Sequence, residues 1–207
     1  IVGLLSGLPP EQVISSIRNG MGGTLGFVAV VVGLGAILGQ MLESSGGVER
    51  ISDTLVKTLG MQKIQWSLGL TGFLVAIPVF FDVAFIILAP VLYGLANNSG
   101  RSLLYYAIPL LAGLAITHSF IPPTPGPIAV AELVNADLGW VILFGAVAGI
   151  PAMILAGPLF GRFIAQRIHV PVPTAHQHHR GELDENPLSF PWVISVILLP
   201  QIGRAHV

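Results

Sequence analysis

The chain has 207 residues, of which 53% are apolar and only 9% charged, with a formal net charge of -1 and no cysteine. So few charges cannot coat a water-soluble domain, where about 25% is usual, and the solvent expected for most of the chain is lipid. The near-neutral balance offers no basic face for nucleic acid, and the missing cysteines exclude disulfides, thiolate metal sites and cysteine nucleophiles.

In chain order, IVGLLSGLPP opens with neither a basic segment nor an initiator methionine, so no cleavable signal peptide is visible and the chain reads as cut at its front. Asn19 to Leu42 runs 24 residues without a charge. As a helix it is about 36 Å long, enough to cross a hydrocarbon core of about 30 Å with some tilt. Glu43 to Lys63 carries six charges and spaces Val48, Ile51, Leu55 and Leu59 at helical intervals, which predicts an amphipathic surface helix. From Ile64 to Gly100 only Asp82 is charged, and Pro78 and Pro90 interrupt the run. A broken helix, or a span followed by a half-span, fits that length better than one rod. Leu103 to Ala131 repeats the pattern, with Pro109 first and then a proline cluster. Leu138 to Gly161 is a second simple span of 24 residues.

Beyond it, TAHQHHRGELDEN is rich in histidine, but no helical pattern places ligands on one face, so a solvated loop is expected rather than a metal site. A last apolar stretch from Phe190 to Pro200 stops short of the roughly 20 residues a span needs. IGRAHV is what a common sequencing adapter encodes in one frame. Residues 1–200 are therefore expected to be one membrane domain, truncated at both ends, and residues 201–207 a foreign tail. Glycine pairs four apart occur at Gly3/Gly7, Gly22/Gly26, Gly35/Gly39, Gly145/Gly149 and Gly157/Gly161. About three such pairs are expected by chance, so they point only weakly to close helix packing.

The stretch THSFIPPTPGP, Thr117 to Pro127, sits inside an uncharged run from Ser102 to Ala131. Prolines at 122, 123, 125 and 127 lack N–H groups and push their preceding residues towards extended geometry, so IPPTPGP is not expected to be helical. It is either a loop outside the membrane or a break inside it, where irregular backbone must be buried in protein or line a polar cavity. The half-span flanks suit a re-entrant hairpin or a discontinuous helix.

Pro127 is expected to be the first helical residue of the segment that follows. With Gly126 before it and Ile128 after it, that helix start offers free N–H groups and about half a positive charge to a carboxylate. Thr117, His118, Ser119 and Thr124 add groups that a polyhydroxylated anion can use. Asp82, four residues after Pro78 among apolar side chains, is expensive in lipid and is expected to face a cavity or partner. It is a candidate proton carrier or cation ligand, unless it serves to cap backbone groups freed near Pro78. His118 is the second candidate for proton coupling. No cofactor is expected. An enzyme is disfavoured, because Ser119 and His118 are adjacent in sequence and no G-x-S-x-G element occurs. A channel would differ from a carrier in whether flux saturates.

GLTGFLVAIPVFFDVAFIILAPVLYGLA followed by LLAGLAITHSFIPPTPGPIAVAELVNADLG resembles the gluconate permease family of bacterial proton symporters, and the likeness runs to about Pro200. The resemblance implies a multi-pass carrier of the bacterial inner membrane that moves gluconate or a related hydroxy acid with protons by alternating access. Glycerate and polar amino acids such as D-serine are the alternatives within the family. It also implies an all-α fold with inverted repeats and re-entrant hairpins, as in the wider ion-transporter superfamily, with this chain as the amino-terminal half. The family's proline-rich motif falls on His118 to Pro127 and its FFD element on Phe80, Phe81 and Asp82. The expected partners are a small gluconate-like anion, protons and the lipid bilayer, with a homodimer as an option. Basic residues are balanced between Glu43–Lys63 and Arg162–Pro187, so their count leaves the orientation open.

Overall fold

Proline and glycine placement decides where the helices stop, and the computed structural model shows the result for residues 2–173, 191–193 and 195. The histidine-rich segment, most of the last apolar stretch and residues 201–207 lie outside the described residues. Among the described residues the secondary structure is helical throughout, with no strand. Three stretches, Phe81–Ser99, Leu104–Leu133 and Leu138–Ala165, are long and apolar enough to cross a membrane. The fold is that of an all-α membrane protein.

A short α1, Val2–Leu5, precedes α2, Pro10–Ser44, a 35-residue rod that contains the first expected span unbroken. Gly46, at φ 68, turns the chain into α3, Gly47–Leu59. This is the amphipathic helix anticipated from the spacing, but its apolar face is not left on a surface. Val48, Ile51 and Leu55 are buried in the main core with Leu68, Leu88 and Leu92. The Ser67 hydroxyl ties α3 to the next helix by donating to the Leu55 carbonyl at 3.0 Å.

After a 3₁₀ turn at Met61–Lys63 come α4, Ile64–Val75, and α5, Phe81–Ser99, separated by a non-helical break at 76–80 around Pro78. Then follow α6, Leu104–Phe120, a second break at 121–124, and α7, Pro125–Leu133. The directions follow from side-chain bonds. Gln65 at the start of α4 donates to the Tyr105 carbonyl at the start of α6, while Thr117 near the end of α6 donates to the Phe73 carbonyl near the end of α4. The two helices are therefore parallel. Helix α5 ends beside the start of α6, where the Tyr106 hydroxyl donates to Ser99 Oγ at 2.7 Å, and its first turn lies by the end of α6, with the Phe80 and His118 rings 6.2 Å apart. It runs back antiparallel to α4 while packing on α6 and α3, so α4 and α5 form a helical hairpin with Pro78 in its tip.

The proline cluster behaves differently. Helix α8, Leu138–Ile154, continues through a π-helical turn at Leu155–Leu159 into α9, Phe160–Ala165, and runs antiparallel to α6. Gly145 abuts the Phe120 carbonyl, Gly149 lies 3.2 Å from Ile116, and Gly161 lies 3.1 Å from Pro109, each distance measured to a Cβ added to the glycine. Helix α7 fills the distance from Phe120 to the start of α8, so α6 and α7 form one discontinuous crossing rather than a hairpin. Of the five glycine pairs, Gly35/Gly39, Gly145/Gly149 and Gly157/Gly161 do mark close approaches. The tightest approach, Gly72 of α4 against Gly113 of α6, has no such spacing.

Two prolines expected to interrupt helices do not. Pro90 lies inside α5 and Pro109 inside α6. Pro109 removes the N–H that Tyr105 C=O would use, and the Gln65 amide replaces it at 3.1 Å. Likewise Phe73 C=O loses its helical donor because Ile77 N–H turns to Leu74, and Thr117 Oγ1 supplies the missing bond at 3.0 Å.

Candidate functional site

The two breaks meet. Pro78 and Phe80 of the hairpin tip and Pro123 and Thr124 of the discontinuous helix share a small gap against Val32, Gly35 and Ala36 of α2. A Cβ on Gly39 would strike the Pro78 carbonyl, so glycine is needed where α2 closes on the hairpin tip, whereas one on Gly35 would lie 3.5 Å from the Pro123 ring, an ordinary contact. Gly145 fixes the depth. It lies seven residues, about 10 Å, from the start of α8 and twenty residues, about 30 Å, from the end of α9. The breaks are thus inside the apolar span, nearer the end marked by Asp137.

Irregular backbone at that depth leaves unpaired groups, and the sequence dictates which. The carbonyls of His118 and Ser119 would accept from residues 122 and 123, both prolines, and no backbone donor replaces them. On the other side, α5 begins at Phe81 and its first backbone-paired N–H is that of Ala84, which donates to Phe80. The N–H groups of Phe81, Asp82 and Val83 are free among the described residues, at a helix end that carries about half a positive charge. Between these two sets lies His118, half-buried, its Nδ1 buried without a hydrogen-bond partner and its ring edge-on to Phe80. Donors, acceptors and an imidazole therefore converge at the paired breaks.

This arrangement changes the expected site in detail. Helix α7 begins at Pro125, with Pro125 and Pro127 both in its first turn, because a helix start needs no N–H there. Pro127 is not the first helical residue. Since neither proline has an N–H and Ile128 N–H already reaches the Thr124 carbonyl at 3.4 Å, Gly126 offers the one free amide of that turn. Ile128 is fully buried, and its N–H is the one already paired. Thr117 and Thr124 are buried too, and their hydroxyls donate to Phe73 and Ile121 carbonyls. Ser119 and Gly126 are exposed, and His118 and Pro127 half-buried.

Asp82 also departs from expectation. It is exposed, with no hydrogen bond or ion pair among the described residues, and it is not among the groups that line the two clefts beside the hairpin tip. Helical rotation is the reason: Phe80 and Val83, three apart, face α2, which turns Asp82 away. The groups that do line a cleft beside the hairpin tip were missed. Gln40 and Glu43 of α2, with Gly39, Pro78, Phe80 and Val83, enclose about 200 Å³. The signal was available, since Gly39 brings Gln40 and, one turn on, Glu43 against the tip. Next to them on α3, burial and the nearby carboxylates of Glu43 and Asp53 hold the Glu49 carboxyl above its ordinary range, and Glu49 Oε2 is buried without a partner. Among the described residues no group of three or more acidic, histidine or cysteine side chains could hold a metal.

Comparison with known proteins gives a consistent picture. The family model described as GntP family permease matches residues 1–203. The chain is 40% identical over 204 residues to the high-affinity gluconate transporter of Escherichia coli (strain K12), covering 99% of this chain and 46% of that protein. It is 42% identical over 201 residues to the low-affinity gluconate transporter of the same strain, covering 97% and 45%. To the Gnt-II system L-idonate transporter of that strain it is 38% identical over 203 residues, covering 96% and 46%. The chain thus spans a little under half the length of these relatives. They are named as transporters, not enzymes. No solved structure matches.

Proposed function

The chain belongs to the GntP permease family, and from that premise we propose that it forms part of a secondary transporter that carries gluconate or a related sugar acid with protons across the bacterial inner membrane. The observation that carries the reading is the meeting of two helix breaks inside the apolar span, with free N–H groups on one side and free carbonyls on the other. In this reading the carboxylate rests on the first-turn amides of α5, with Gly126 N–H as a further donor. Substrate hydroxyls bond to Ser119 and to the carbonyls of His118 and Ser119. His118 carries the proton or passes it to Asp82, which faces the part of the transporter supplied by the rest of the protein. Breaks whose backbone groups have lost their helical partners can exchange substrate for solvent contacts as the two sides open in turn, which supports alternating access.

The same geometry supports an orientation. Lys63, Arg101, Arg162 and Arg167 all lie at the end where α4 and α6 begin and α9 finishes, while the opposite turn at 134–137 has no basic residue. By the positive-inside tendency the basic end faces the cytoplasm.

The test is uptake of radiolabelled gluconate into cells lacking their own permeases and carrying the complete gene, with and without a protonophore. Saturable uptake that collapses with the proton gradient is expected. Uptake that survives the protonophore would overturn proton coupling. Protein inserted in the membrane without gluconate uptake would move the substrate to L-idonate, glycerate or D-serine, to be found by competition.

A further inference from the structure

At the opposite end from Asp137, a second cleft of the described residues lies outside the candidate transport site. It has a volume of about 640 Å³ and is walled by Gln62, Arg101, Tyr105, Arg162, Gln166 and His169. That is within the roughly 300–1,000 Å³ of small-molecule sites. We propose that this cleft seats the phosphate headgroup of an anionic phospholipid at the membrane boundary.

Position is the first argument. All three candidate spans have one end here, at Ser99, Leu104 and Ala165, so the cleft opens where hydrocarbon gives way to headgroups. Its rim is fixed. Ser102 Oγ donates to the Ile168 carbonyl and accepts from Val170 N–H, both at 3.0 Å, and Leu103 N–H donates to the Val170 carbonyl, which ties the segment after α9 to the start of α6.

Charge is the second. The lining holds two guanidiniums and an imidazole and no carboxylate, and neither arginine has an acidic partner among the described residues. Arg101 lies over the Tyr105 ring at 4.8 Å, which orients its donor edge without neutralising it. Two unpaired arginines at one cleft repel each other until an anion joins them, and the planar fork of each matches phosphate oxygens. Basic pockets between membrane helices at this level suit anionic headgroups. Apolar surface is the third argument: Leu159 at the end of the π-helical turn and Phe160 and Phe163 on α9, the helix that carries Arg162, are about half exposed, a surface on which acyl chains can lie.

The test uses the complete gene product in detergent, titrated with phosphatidylglycerol, phosphatidylcholine, inorganic phosphate and glycerol phosphate, and read by native mass spectrometry and melting temperature. Wild-type protein is expected to retain phosphatidylglycerol in preference to phosphatidylcholine, with both soluble phosphates at least tenfold weaker. Arg101→Gln with Arg162→Gln should lower retention about tenfold or more, and Arg101→Lys with Arg162→Lys should lower it less. Equal retention of the two lipids by wild-type protein would overturn the proposal even if the glutamine variant fails to fold. Soluble phosphate binding as tightly as the lipid would show a free-phosphate site instead. Neutralising Glu182, Asp184 and Glu185 should leave lipid retention unchanged; a several-fold rise would identify the chain's own acidic segment as the occupant and overturn the lipid assignment.

Discussion

Gly113→Ala is expected to separate the hairpin from the discontinuous helix. A Cβ at Gly113 would lie 2.7 Å from Phe73 N and 3.1 Å from Gly72 C, and would strike the Gly69 carbonyl oxygen. These are all backbone atoms, so no side chain can swing aside and α4 must back away by about 1 Å. Overpacking of this kind costs about 1–3 kcal/mol. The same shift stretches the Thr117–Phe73 bond from 3.0 Å to beyond hydrogen-bonding range and leaves a buried carbonyl unpaired, which adds about 1–3 kcal/mol. The sum, about 2–6 kcal/mol, should appear as a clear drop in the melting temperature of the complete permease in detergent, together with loss of uptake. Gly94→Ala is the control. It lies on the same hairpin with nothing within 4 Å of its added Cβ, and the gain in helix propensity makes it neutral or stabilising by up to about 1 kcal/mol. If Gly113→Ala melts no lower than Gly94→Ala, α4 and α6 do not pack through their glycines and the position assigned to the hairpin tip is wrong.

Thr117→Val should destabilise by about 1–3 kcal/mol with little change in the KM for substrate, whereas Thr117→Ser should behave as wild type; a raised KM with unchanged melting would make Thr117 a substrate ligand instead. Asp82→Asn should abolish protonophore-sensitive accumulation but leave substrate exchange intact, and undiminished accumulation would remove Asp82 from the proton path. For Glu49 the folded state holds the proton more tightly than the unfolded chain. The stability this gives is complete below the ordinary carboxylate range and is lost as pH rises through the elevated folded value. Melting temperature should therefore fall across that interval in wild type and fall less in Glu49→Gln; parallel profiles would show that burial of Glu49 has no energetic weight.

Length, composition and the absence of charge were enough to read the membrane class, the span at Leu138–Gly161 and an unbroken helix over Asn19–Leu42, because lipid imposes those features residue by residue. The break after Phe120 was legible because Pro122 and Pro123 remove two successive donors, whereas a single proline did not decide: the chain breaks around Pro78 but stays helical through Pro90 and Pro109. What the sequence did not reveal was how each freed carbonyl is satisfied. Pro109 remains inside α6 because Gln65, forty positions before Tyr105, supplies the donor that the Tyr105 carbonyl lacks, and nothing local to either residue announces the other. The expected helix start at Pro127 was two residues late because first-turn prolines cost nothing, so local geometry could not distinguish Pro125 from Pro127. Asp82 was read from its neighbours along the chain, while its rotation about α5 is set by α2 packing on Phe80 and Val83.

Orientation shows the same limit from another side. The basic residues of Glu43–Lys63 and Arg162–Pro187 balance when their connectors are treated as opposite ends. The parallel course of α4 and α6 and the return of α5 put Lys63, Arg101, Arg162 and Arg167 at one end, so the apparent balance becomes a bias. In the topology we propose, α4 and α5 enter and leave on the same side, which changes the parity of every connector after them. The two proposals then fall on opposite parts of the molecule: the paired breaks lie nearer the acidic end, where Asp137 caps α8, and the arginine cleft lies at the basic end. Loss of the two arginines should therefore change lipid retention without changing substrate competition. A shift in substrate preference in the Arg101→Gln, Arg162→Gln variant would mean that the two ends are coupled through α6, the helix that both sites share.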